Sequence, residues 1–330
     1  MAIEITRSPL KIDQIAGDER SQILVESDII VPESNPDIGK ILDVTGKISI
    51  NSKEGIQDKV MVEGAVIYSI LYLAENDDRH IASMEVDTSF TNYIDMPGVQ
   101  PKMTSKILAE LEHIDCDIIN SKKLNVISVM DVRMKVFDLV QLDVVDGFSG
   151  DWHIETLREP IALSYESGQG EAQTIIRESL ELSDNMPTIV EILRKDINIR
   201  DLDSKTADNK VVVNGTMDIG FLYLCEDPDY PIHYFAEEIE FAHVVDIAGA
   251  YQNMDCRCDI RIEDVYLAPK EDLSGDLRLV EVEALMFIEA AIIERQHRDI
   301  LIDAYMPDGA LAIEEESLSI GELRGEGQSQ

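Results

Sequence analysis

Basic residues are few in this chain. Its 330 residues hold 28 Lys and Arg against 66 Asp and Glu, a formal net charge of −38. Such a surface repels phosphate backbones and anionic lipid, so direct nucleic-acid binding is not expected. It favours solubility, and it suits basic partners or divalent cations. Long apolar runs are missing too. The most apolar stretch, Ala284 to Ile293, is short and broken by Glu289, so no membrane insertion is expected. The opening Met1-Ala2-Ile3-Glu4-Ile5-Thr6-Arg7 lacks a basic segment followed by an apolar one, the pattern of a secretory leader. Synthesis in a cytoplasm, with release only on lysis, is the expectation.

Reactive side chains are scarce or scattered. The cysteines are Cys116, Cys225, Cys256 and Cys258, and Cys256-x-Cys258 is not the spacing of a zinc knuckle. Idle thiols are expected, with a covalent link between subunits as the alternative. His80, His113, His153, His233, His243 and His297 show no metal-ligand spacing. There is no Gly-rich phosphate loop and no Gly-x-Ser-x-Gly elbow. Carboxylates are too abundant to single out a catalytic pair. The acidic segments Glu75-Asn76-Asp77-Asp78 and Asp227-Pro228-Asp229 are oxygen-rich, yet the spacing of an EF-hand loop is absent. No catalytic residue, cofactor or metal is assigned, and the chain reads as a non-enzyme.

What is present is the chain itself, twice. Ile3-Glu4, Arg7 and Pro9 recur as Ile154-Glu155, Arg158 and Pro160. Val60-Met61-Val62-Glu63-Gly64 becomes Val211-Val212-Val213-Asn214-Gly215, and Asp95 with Gly98 becomes Asp246 with Gly249. The offset is constant (154 − 3 = 151; 249 − 98 = 151). Apolar positions, glycines and prolines recur; reactive groups do not. Cys225 falls opposite Ala74 and Cys256 opposite Ser105, so a disulfide or zinc site is not part of the repeated design. A hydrophobic fraction of 45% argues for two folded units rather than disorder.

The pattern within each copy is alternating. Val60, Val62, Val66, Tyr68, Ile70 and Tyr72 share one strand face, as do Val211, Val213, Met217, Ile219, Phe221 and Tyr223. Gly64 and Gly215 inside these strands predict a bulge or a close packing contact. In the last third, Val126 matches Val280 at an offset of 154, which predicts three residues gained in the turn 269–276. Pro36 with Ile38, Ile41 and Leu42, and Pro187 with Ile189, Ile192 and Leu193, predict one short helical turn per copy. The fold class is therefore all-β: two tandem homologous β-sandwich-like domains, 1–150 and 151–303, each with a short helical turn. An acidic tail, 304–330, follows. In it, Ala312, Ile313, Glu314 and Ile320 echo the start of a unit. They form a candidate assembly segment, a strand that could complete the sheet of another molecule.

The string Ile29-Ile30-Val31-Pro32-Glu33-Ser34-Asn35-Pro36-Asp37-Ile38-Gly39-Lys40-Ile41-Leu42 resembles a known family. So do Gln57 to Gly64, Ile70 to Leu73, Asp95 to Val99 and Ile118 to Val126. They are similar to the SPOCS domain, the repeated unit of SipL-like spore coat and spore morphogenetic proteins of clostridia and relatives. That resemblance implies synthesis in the mother-cell cytoplasm and a role in the protein layers around an endospore. Relatives often carry a C-terminal LysM module; this chain has only the short stub in its place, so LysM anchoring is not carried over. The resulting expectation is a structural or assembly protein of the spore envelope: coat, exosporium or surface fibre. It would be a homo-oligomer or polymer, with other spore coat proteins as further partners. The alternative is an adaptor that recruits another coat protein without self-assembly.

Overall fold

Each alternating segment is a strand, and the strands are long. The computed structural model describes residues 3–75, 77–150, 153–227, 229–307, 309, 311 and 312. Twelve strands run through them: β1 (Glu4–Ile30), β2 (Ile38–Ile56), β3 (Lys59–Ala74), β4 (Asp77–Asp95), β5 (Thr104–Asn120), β6 (Lys123–Ser149), β7 (Glu155–Glu181), β8 (Glu191–Ala207), β9 (Lys210–Leu224), β10 (Ile232–Asp246), β11 (Asp255–Glu271) and β12 (Leu277–Tyr305). They form four antiparallel three-stranded sheets, β1-β6-β5 and β2-β3-β4 in the first half, β11-β12-β7 and β10-β9-β8 in the second. No described strand is shared between the halves.

Within a half, two sheets pack face to face. From β3, Val60, Val62, Val66, Tyr68, Ile70 and Tyr72 are 0–1% exposed, and they meet the fully buried Leu124, Val126, Met130, Val132 and Met134 of β6. Burying each such side chain contributes about 1.5–3 kcal/mol. In the second half, Met217, Ile219, Phe221 and Tyr223 of β9 pack on Val280, Val282, Ala284 and Met286 of β12.

The short helical turn expected at Pro36 and Pro187 is not there. No helix occurs among the described residues, and Ile38, Ile41 and Leu42 lie in β2. The Pro36 carbonyl accepts the Tyr72 hydroxyl at 3.0 Å, and Pro187 accepts Tyr223 at 3.1 Å. Bulges at Ile38/Lys40 and Ile41/Asp43 explain the misleading spacing. Each adds a residue, so inward positions fall three apart, at Ile38, Ile41 and Val44, and imitate one helix face.

The second correction concerns the repeat. Ile30 pairs with Lys123 while its counterpart Glu181 pairs with Leu279, so the last strand is offset by 156 (279 − 123), not 154. The turn before β12 thus gained five residues (156 − 151). Both offsets are even, and a period-two pattern cannot tell them apart. Buried chemistry supports the new register. The Tyr68 hydroxyl and Ser128 Oγ bond at 2.8 Å in the first core. Their counterparts at offsets 151 and 156, Ile219 and Ala284, are apolar together. Losing one partner alone would leave the other buried and unsatisfied at a cost of about 1–3 kcal/mol, whereas replacing both by apolar groups is nearly neutral.

Candidate functional site: the junction between the units

β1, β6, β7 and β12 overrun the sandwiches. At about 3.3 Å per residue, a 27-residue strand reaches about 90 Å. β5 pairs with β6 only as far as Phe137, so residues 138–149 have β1 as their single neighbour. β11 pairs with β12 only as far as Ile293, leaving 294–305 with β7. Two-stranded ribbons are marginal alone and must bury a face. These two bury it against each other. Leu10, Ile12 and Leu163 are 1%, 4% and 7% exposed, with Val140, Leu142, Val144, Ile161 and Ile300 around them.

The contributing residues are counterparts. Leu10 matches Ile161 and Ile12 matches Leu163 at the offset of 151, and Val144 matches Ile300 at 156. Beside the ribbons, Arg194 Nη1 donates to Asp43 Oδ2 at 2.8 Å, and these too are counterparts (194 − 43 = 151). Lys106 and Arg257, again 151 apart, both act on Asp13. Counterparts that meet give the centre an approximately two-fold, isologous arrangement, while contacts beside it, Glu85–Lys195, Lys53–Glu289 and Arg261–Ile50, join positions that are not counterparts.

Polar contacts surround this centre. Asp13 Oδ2 accepts the Glu166 backbone N–H at 2.8 Å, and Arg257 Nη2 donates to Glu166 Oε2 at 3.1 Å. Burial pushes the Asp13 carboxyl above its ordinary range, partly offset by the Glu166 N–H and by Lys106 and Arg257. Lys195 pairs with Glu85 at 3.4 Å and Lys53 with Glu289 at 3.5 Å. Arg261 lies 4.9 Å over the Phe287 ring and donates to the Ile50 carbonyl at 2.9 Å. Arg158 donates to the Asp146 carbonyl. Each unit offers both signs here: Asp13, Asp43 and Glu85 with Lys53 and Lys106 from the first, and Arg194, Lys195, Arg257 and Arg261 with Glu166 and Glu289 from the second.

Of the residues singled out from sequence, few come together. Cys225 is buried and the other cysteines are half-buried; all four are free. Burial, with Asp117 nearby, pushes the Cys116 thiol up to about 11, and burial raises Cys258, so both are poor nucleophiles at neutral pH. Cys256 Sγ lies 3.3 Å from Ser204 Oγ. His113 and His153 sit at the surface beside Asp115 and Glu155, and His233 packs on Tyr223. Among the described residues no group of three or more His, Cys, Asp and Glu could hold a metal ion. A hollow of about 290 Å³ lies over β2–β4, lined by Ser49, Ile67, Glu85 and Asp87. It is largely open to solvent and holds no converging set of acid, base and nucleophile. No described helix is long and apolar enough to cross a membrane. Of the candidate assembly segment, Ala312 is exposed near the end of the described chain, while Ile313, Glu314 and Ile320 lie outside the described residues.

Reading the sequence for recurrence missed the junction, because most of its charged residues, Lys106 and Arg257 apart, do not recur. Opposite charges at one repeat position, as at Asp43 and Arg194, were no guide to it, since Glu26 and Arg177, Lys40 and Glu191, and Glu54 and Lys205 show the same pattern.

A family model described as SipL, SPOCS domain matches residues 37–119 and 188–269. The two matches begin 151 residues apart (188 − 37) and cover the same part of each unit, β2 to β5 and β8 to β11. No curated protein and no solved structure matches the chain.

Proposed function

Because the chain belongs to the SipL, SPOCS domain family and is therefore spore-associated, we propose that it is a non-enzymatic structural protein of the endospore envelope that associates with further copies of itself. One observation carries this reading: the side-chain contacts the two units share are clamps on the scaffold. Tyr72 and Tyr223 hold the Pro36 and Pro187 carbonyls. Asp58 and Asn209 accept the N–H of Gly98 and Gly249 at 2.9 and 3.0 Å. Some of the ion pairs that differ between the units lie where they meet, Asp43–Arg194 and Glu85–Lys195 among them, and others lie within one unit, such as Arg20–Asp131 and Arg200–Asp218. Duplication has thus kept two rigid frames and varied what they present. Self-association fits the outer edges as well. β1, β4, β7 and β10 are sheet edges on the side away from the β2/β5 and β8/β11 flanks. They expose Leu24, Tyr93, Ile175 and Tyr234, and open edges are ready templates for association.

On this reading the protein is made in the mother cell and ends in the coat, exosporium or a surface fibre. Light scattering and negative-stain imaging of the purified chain test it. Multimers with a regular repeat are expected. A sample that stays strictly monomeric at high concentration would count for the adaptor instead, which predicts a one-to-one complex with another coat protein.

A further inference from the structure

The junction has a property that ordinary surfaces lack: both of its faces are carried by every copy. In a two-fold contact each unit presents the counterpart of what it meets. Here the two faces are not interchangeable, because charge differs at matching positions. Pairing two first units would set Asp43 against Asp43, and pairing two second units would set Arg194 against Arg194. Only a first unit with a second unit gives Asp43–Arg194 at 2.8 Å and Glu85–Lys195 at 3.4 Å. Like charges placed opposite one another are how specificity is enforced.

Nothing in these contacts requires both units to belong to one chain. The units are joined only by residues 150–154, between the tip of β6 and the tip of β7. The dry centre is small, three buried side chains with partly buried neighbours, and the rim is ion pairs in reach of water. We propose that this junction is exchangeable: the first unit of one copy takes the second unit of another through the same face. Reciprocal exchange closes a dimer, and serial exchange builds an open chain of any length. The occupant of the face is a second copy of this protein. This proposal rests on the self-associating reading above and names the surface it uses.

Two full-length variants test it. One carries Asp43→Arg with Glu85→Lys; the other carries Arg194→Asp with Lys195→Glu. Each alone sets like charges across its own junction, and circular dichroism checks that both remain folded. Mixed, each first unit finds an opposite charge only on the other variant. The expected result is that the mass by light scattering about doubles or more on mixing, with neither variant gaining mass alone, and that high salt weakens the effect. No gain on mixing would overturn the proposal. If the native chain multimerises while the mixture does not, assembly uses the open edges, and self-association stands without exchange. A native chain that stays monomeric sinks the self-associating reading, whatever the mixture does.

Discussion

Gly64 lies under a carbonyl. A Cβ built there would come within 2.4 Å of the Ser49 oxygen and 2.9 Å of the Phe90 ring. Its partner strand bulges beside it, between Ile50 and Ser52, which brings that backbone close. At Gly215 the nearest obstacle is the Phe241 ring at 2.7 Å, with the Leu202 side chain beyond. A ring can turn aside and a paired carbonyl cannot. Gly64→Ala should therefore cost about 1–3 kcal/mol, and Gly215→Ala distinctly less, read from urea midpoints at unchanged slope. Equal costs would mean that the backbone around Ser49 yields as easily as a side chain. This much was legible in the sequence: an interior glycine that recurs in both strands calls for a bulge or a close contact, and the bulge proved to be in the neighbouring strand.

At the scale of elements, the ribbons are the exposed part of the design. Half of β1 and half of β6 extend past their sandwich, and the junction alone covers them. Leu10, 1% exposed, sits at its centre. Leu10→Ala should remove about 2–5 kcal/mol of burial and packing, and the loss should stay local. By hydrogen exchange, amides of residues 5–14 and 138–148 should lose protection while those of β3 and β9 keep theirs. A uniform loss throughout the first unit would mean that ribbon and sandwich form one cooperative block. β2 shows where reading elements from spacing breaks down. Ile38, Ile41 and Val44 are spaced like a helix face because two bulges interrupt a strand. Composition does not announce a bulge; it comes from pairing with β3, far along the chain.

For the whole molecule the governing quantity is charge. A chain of net charge −38 repels itself. The junction answers locally, setting Arg194 and Lys195 of the second unit against Asp43 and Glu85 of the first, with Arg257 acting on Asp13. Raising sodium chloride from low to near-physiological strength should raise the melting temperature, because screening weakens the general repulsion more than it weakens these partly covered pairs. Thermal melts across a salt series check this; a falling melting temperature would mean that the attractive pairs outweigh the repulsion.

Order along the chain was enough to establish the duplication, the strands with their buried faces and the all-β class, because hydrophobic alternation and recurrence are local properties. It could not establish the parity-preserving shift of the last strand, since offsets of 154 and 156 bury the same face. Nor could it show that Leu10 meets Leu163 or that Asp43 meets Arg194. Those contacts exist only once two folded units come together, and their energy depends on side chains about 150 residues apart sharing one water-poor space.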